Sequence, residues 1–372
     1  MKSKDVIEDI EEWTPKEIAW QKDNVGLQVG SLEQEIKNIM LCLDVDENVI
    51  AEAGKKNCNL IISHHPFLFY PIKKINTASD QKSKLVSTLL KKDISVYSMH
   101  TNFDYTKDGV SFKLAEALKL QNIRFLKNFD NNQLKLVTFV PKDSLNKVAN
   151  AMFNAGAGII GEYSSCSFLS SGTGTFKGSI KSNPAIGKKN FLEQVDEQRL
   201  EVVLDSWKLT GVIKALKSSH PYEEPAYDVY PILNGNVNYG AGAVGELSSP
   251  MNQKAFLDHV SKSLRIKNFR YSGKVTGYIN KIGVCGGSGT EYISDAVSAG
   301  CDAFVTADIK YHTFQEMEKK ILLIDAGHYE TEIPSLKEIE KRLNRKLTGK
   351  QIKVYKYSGS TNPVIFYNKK GA

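Results

Sequence analysis

The stretch Asn59-Leu60-Ile61-Ile62-Ser63-His64-His65-Pro66 decides the fold. A short apolar run bounded by polar residues reads as a strand buried on both faces. Strands of that kind lie in parallel sheets covered by helices. His64 and His65 stand at the carboxyl end of the run, the edge of an α/β sheet where ligand sites form. Pro66 keeps His65 extended. Adjacent side chains diverge on an extended chain, so the two imidazoles suit two cations a few ångströms apart better than one.

The same grammar continues on both sides. Residues 24–30, 38–44 and 94–99 read as strands, and residues 4–12, 45–55, 82–91 and 109–118 as helices. Alternation of this kind predicts an α/β core with parallel strands and crossover connections. Near residue 130 the texture changes. Residues 134–140 alternate like a half-exposed antiparallel strand, and a helix is expected over 143–155. Glycine-rich strands run to residue 178, with a strand at 199–204, a helix at 207–217 and a strand at 226–230. That order predicts a ferredoxin-like α+β domain inserted at residues 129–235. The α/β core is thus split into residues 1–128 and 236–372. In its second half, helices are expected at 252–264, 291–299 and 335–347, and strands at 281–284, 303–306 and 321–324.

A chain of 372 residues exceeds the usual single core, in keeping with two domains. Apolar residues make up 41% and charged residues 24%, as in a soluble globular protein. Lys and Arg exceed Asp and Glu by 49 to 42, a mild excess that suits an anionic small molecule and lacks the signature of a nucleic-acid binder. The one modest lysine cluster (Lys350, Lys353, Lys356, Lys369, Lys370) reads as solvated surface. Five scattered cysteines without a CxxC pair point to reduced thiols in a cytoplasmic protein. Neither a signal peptide nor a membrane-spanning apolar run is expected.

Only seven histidines occur, and five lie just past the ends of expected strands: His64, His65, His100, His312 and His328. Asp104 follows His100 by four residues, and Glu332 follows His328 by four, a spacing that shares one helical face. Imidazole with carboxylate suits zinc, iron or manganese, and carboxylates can bridge two ions. The metal set is therefore His64, His65, Asp104, His328 and Glu332. His100 and His312 are assigned to orienting a ligand or moving a proton. Gly286-Gly287-Ser288-Gly289 has two equal readings, a phosphate cradle or a tight turn. Cys285 reads as buried. His220-Pro221-Tyr222-Glu223-Glu224-Pro225 could serve a ligand or a subunit, with a polar turn slightly favoured.

Taken together, these segments resemble the Nif-three-like family of dinuclear-metal proteins, often labelled GTP cyclohydrolase 1 type 2 homologues. The matching stretches are Asn24–Gly30, Ile61–Pro66, His100–Asp104, Gly240–Gly245, Thr306–His312 and Gly327–Glu332. The resemblance implies that His64, His65, Asp104, His328 and Glu332 hold two ions, and that the core is two-lobed. It likens the insertion to a PII- or CutA-like module, and it implies a toroidal homohexamer. Thr306-Ala307-Asp308 departs from the family's usual Thr-Gly-Glu, a conservative change outside the ligand set. Two functions follow as expectations: a metal-dependent hydrolase of a nucleotide or other phosphorylated small molecule, or a non-catalytic hexameric scaffold binding metal or ligand.

Overall fold

Three of the apolar runs, Ile39–Cys42, Leu60–Ser63 and Ser95–Ser98, are buried at every position. The computed structural model describes residues 1–367, so Lys369 and Lys370 lie outside the described residues. The three strands pair in parallel, Val354–Lys356 joins Ile39–Cys42 in parallel, and Gly26–Val29 closes the other edge antiparallel to Ser95–Ser98. Successive side chains of a strand face opposite ways. Ile39, Leu41, Leu60 and Ile62 accordingly pack against Val6, Ile7 and Ile10 of helix Ser3–Trp13 and Ile339 and Leu343 of helix Leu336–Lys346. Met40, Cys42, Ile61 and Val96 pack against the helices Glu47–Lys55 and Gln81–Lys91 on the other face.

A second sheet of six strands repeats the plan. Ile279–Val284, Ala303–Thr306 and Leu322–Asp325 are parallel, flanked by antiparallel Arg270–Ser272 on one side and Gly240–Met251 on the other. Gln121–Asn128 completes the order beyond Gly240–Met251. One face packs on Phe112 and Leu114 of helix Val110–Ala117 and on Phe256 and Val260 of helix Gln253–Leu264. Both sheets therefore carry helices on both sides of parallel strands, the α/β arrangement expected from the alternation.

The chain divides into two compact units, residues 1–127 with 239–372, and residues 128–238. The second unit has four antiparallel strands, in the order Ser167–Lys177, Leu192–Asp205, Gln133–Pro141, Tyr227–Ile232. Helices Leu145–Asn154 and Leu209–Ser219 cover one face of this sheet through Val148, Met152, Val212 and Leu216. Strand, helix, two strands, helix, strand in that spatial order is the ferredoxin-like topology. Among the described residues no helix is long and apolar enough to cross a membrane. Cys285 is buried and, like the other four cysteines, free.

Candidate metal centre

Strand pairing carries on past Ser63 and fixes the two histidines that follow. The backbone N–H of His64 donates to Cys42 O at 3.1 Å, and that of His65 to Leu43 O at 2.9 Å. After Ser95–Ser98 the chain turns directly into the short helix Thr101–Asp104, with His100 at its cap. After Leu322–Asp325, Gly327 takes φ +90° and starts the helix His328–Glu332, which brings residues 328 and 332 to one face. Distant segments thus deliver their donors to the carboxyl ends of both parallel sheets.

Each imidazole is gripped at Nδ1. His64 Nδ1 lies 3.0 Å from Met99 O, which can only accept, so this nitrogen carries the proton. Nδ1 of His65 meets Asp44 at 2.8 Å, Nδ1 of His100 meets Asp23 at 3.0 Å, and Nδ1 of His328 meets Asp308 at 2.6 Å. Hydrogen bonds of this kind turn Nε2 towards a ligand position. Glu332 stands in the middle, its side chain 4% exposed. Its Oε1 lies 3.6 Å from His64 Nε2 and 2.9 Å from His328 Nε2, and its Oε2 lies 3.0 Å from His65 Nε2. Asp104 Oδ1 is 3.6 Å from His64 Nε2. The Asp104 side chain keeps 23% of its surface exposed, yet Oδ1 itself is buried.

Four of these inward atoms lack a hydrogen-bond partner among the described residues: His64 Nε2, His65 Nε2, Asp104 Oδ1 and Glu332 Oε2. The 3.0 Å approach of His65 to Glu332 is too poorly aligned to satisfy either group. A buried polar atom left alone costs about 1–3 kcal/mol, so four converging ones call for a shared partner. Nitrogen and carboxylate oxygen donors at one point fit a divalent cation. The donors fall into two overlapping groups, His64 with His65 and His100, and His65 with His328 and Glu332, each with ligand atoms within 4.8 Å of one another.

The electrostatics agree. Burial opposes charge on Glu332, but His64, His328 and His65 around it hold its carboxyl well below the usual range. Burial likewise opposes a proton on His65, and the carboxylates of Asp44 and Glu332 outweigh it, lifting the imidazole to about 10. His328 is lifted to about 9 by Glu332 and Asp308 against the same burial. In the metal-free protein at pH 7 both therefore carry a proton that a cation must expel. Calorimetric titration of metal in buffers of different ionisation heat should show release of about two protons per chain. The same two groups stabilise the metal-free fold fully below their unfolded value of 6.5, and that contribution is lost as pH rises through about 9 to 10. The melting temperature of metal-free protein is accordingly expected to fall across this window while metal affinity rises.

His312 does not join the group. The chain leaves the sheet after Thr306, and His312 sits on helix Tyr311–Met317, exposed and edge-on to the Tyr311 ring at 5.3 Å. Neither donor group found among the described residues includes it. The phosphate-cradle reading of the glycine-rich turn also fails. The N–H groups of Gly286, Gly287 and Gly289 are already given to Ser111, Thr331 and Thr306 hydroxyls at 3.3, 3.0 and 2.9 Å. Gly287 matters for another reason: at φ +61°, a Cβ there would come within 2.4 Å of Glu332 Oε1. The departure at Asp308 leaves the donors unchanged but falls on the residue that orients His328.

Asp23 and Asp44 went unmarked in the sequence, since a lone aspartate near a strand end looks like any turn former, and Asp308 stood out only as a departure from the family pattern. Burial opposes ionisation of Asp23, and the His100 and Thr101 hydrogen bonds still hold it down at about 2. Asp44→Asn or Asp308→Asn should weaken metal binding by roughly 10–100-fold without emptying the site at saturating metal. Competition against a chromophoric chelator measures this, and unchanged affinity would remove the orienting role.

The chain matches the family model described as Duf34/NIF3 (NGG1p interacting factor 3) over residues 1–363. A Bacillus subtilis protein named GTP cyclohydrolase 1 type 2 homolog is 40% identical over 367 residues, 97% of each chain. A Listeria monocytogenes protein of the same name is 38% identical over 322 residues, 86% of each. Among solved structures, a Bacillus cereus protein related to NIF3 superposes with a TM-score of 0.86 at 37% identity, covering 99% of both chains. A Staphylococcus aureus protein does so with a TM-score of 0.78 at 28% identity and the same coverage. A match of this length and identity makes the chain a member of the Duf34/NIF3 family.

Proposed function

We propose that this centre holds two divalent cations, zinc, iron or manganese, and that the protein is a metal-dependent hydrolase of a nucleotide or other phosphorylated small molecule. The four buried, partnerless donor atoms carry the reading. Glu332, with one oxygen towards His64 and His328 and the other towards His65, would serve both ions in this reading. Such ions, when bound, lower the pKa of water and draw off developing negative charge.

The protein's own residues supply the rest. His100, held by Asp23, presents its ring to His64 and His65 at 5.3 and 5.5 Å and is the group to take up a proton. Beside the donors lies a cavity of about 550 Å³, lined by His65, His328, Asp308, Tyr329 and Arg270. Its size suits a nucleotide-sized ligand. Arg270, anchored on Ile309 O and Asp325, stands on that wall. The name carried by the relatives points to purine-ring opening, so GTP is the first nucleotide to test.

Elemental analysis of the purified protein should find about two ions per chain, and a nucleotide panel should yield a turned-over substrate whose rate falls at least about a hundredfold in His64→Ala. Equal turnover by His64→Ala with its metal retained would defeat the hydrolase reading. Two bound ions with no turnover of any nucleotide or phosphate ester would favour the non-catalytic scaffold instead. A homohexamer belongs to the same proposal, and light scattering tests it against the 41.4 kDa chain.

A further inference from the structure

The sheet of residues 128–238 is covered by helices on one face only. Its other face carries a cavity of about 560 Å³. Strand register brings Gly172 opposite Glu197, and Ser170 and Phe139 opposite Arg199, so these residues form its floor. The loop around Asn183 and the turn at Tyr222–Glu224 border it, tied together by the Asn183 N–H donating to Glu223 at 3.1 Å. His220 sets that turn: Nδ1 accepts from the Tyr222 N–H at 3.1 Å, leaving Nε2 to donate to Phe139 O at 3.0 Å.

We propose that this cavity is a binding site for a small organic cation, an amine or amidine carried on a flat ring. Glu197 is only 9% exposed. Its Oε1 accepts from the Tyr222 hydroxyl at 2.8 Å, while Oε2 has no donor among the described residues. A carboxylate largely shielded from water, with one oxygen still open to solvent, gains from a cationic partner. The nearby Arg199 does not serve, because its Nε is paired with Glu201 at 2.9 Å. Glu223 and Glu224 add negative charge at the rim, against Lys177 and the Glu201-paired Arg199. Phe139, Phe176 and Tyr222 line it, and aromatic rings attract cations over their faces. One buried carboxylate among aromatic rings is a poor donor set for a metal ion.

The glycines make the room. A Cβ at Gly174 would sit 2.1 Å from Glu197 Oε2, so only glycine lets the carboxylate lie there. A Cβ at Gly172 would meet no atom within 4 Å, so a large side chain there fills the cavity without displacing its walls. Benzamidine is the probe, titrated calorimetrically into the full chain, with benzoate as the anionic isostere. Benzamidine should bind saturably, about one per chain, and benzoate should not bind. Glu197→Gln should weaken benzamidine at least about tenfold, Gly172→Leu should abolish binding, and Glu332→Gln at the metal centre should leave it unchanged. Circular dichroism checks that the variants fold. Equal binding of benzoate, undiminished binding by either cavity variant, loss of binding in Glu332→Gln, or no benzamidine binding by wild type at millimolar concentration would overturn the assignment. The benzoate comparison needs no variant and decides even if one misfolds.

Discussion

Glu332→Gln is expected to yield protein that folds but retains almost no metal. The change keeps the shape of the side chain and removes the charge that three imidazoles surround, at 3.6 Å for His64, 3.0 Å for His65 and 2.9 Å for His328. With Asp104 as the one remaining carboxylate of the donor set, two dications would sit largely uncompensated in a buried site. The loss of affinity should therefore exceed the roughly 100-fold ceiling for an outer orienting partner. Elemental analysis after gel filtration reads it directly. Glu332 also raises both His65 and His328, so proton release on adding metal should shrink in the variant. Full metal occupancy in Glu332→Gln would show that the cluster is not a cation site.

Gly287→Ala should be nearly as damaging from a residue that donates nothing. Alanine at φ +61° costs about 1–2 kcal/mol in backbone strain alone. Its Cβ would also press on Glu332 Oε1 at 2.4 Å and on His328 Nε2 at 3.2 Å, the atoms that must meet an ion. Metal affinity should drop by at least about a hundredfold, with a lowered melting temperature. Gly300→Ala is the control, since Gly300 has φ +70° but no atom within 4 Å of its Cβ. That variant should show the strain in its melting temperature and keep its metal. Similar metal loss in both would trace the effect to backbone strain and not to crowding of the centre.

The parallel strands were legible because their short runs, centred on apolar residues, are buried at every position, as strands covered by helices on both faces require. The edges were not. Arg270–Ser272 and Val354–Lys356 are three residues each and partly exposed, and Gln121–Asn128 is mostly polar, so their pairing is decided by neighbours far along the chain. The donors could be read because histidines are few and fall at strand ends. His312 shows where that rule breaks: position after a strand does not fix direction, and a helix that starts at Tyr311 leaves His312 exposed. The glycine-rich turn misled because composition cannot tell free N–H groups from N–H groups already bonded to hydroxyls. Asp308 was seen as a departure from a pattern, but its grip on His328 exists only once the two strand ends meet.

The donors are divided between two sheets, with His64, His65 and Asp104 early in the chain and His328 and Glu332 more than two hundred residues later. A growing polypeptide on the ribosome can present only three of the five donors until the second sheet has emerged. If the centre holds the cations proposed above, their capture is a late step of maturation that waits for the two sheets to meet. Removing such ions from finished protein should, by the same logic, loosen the seam and open it to proteases.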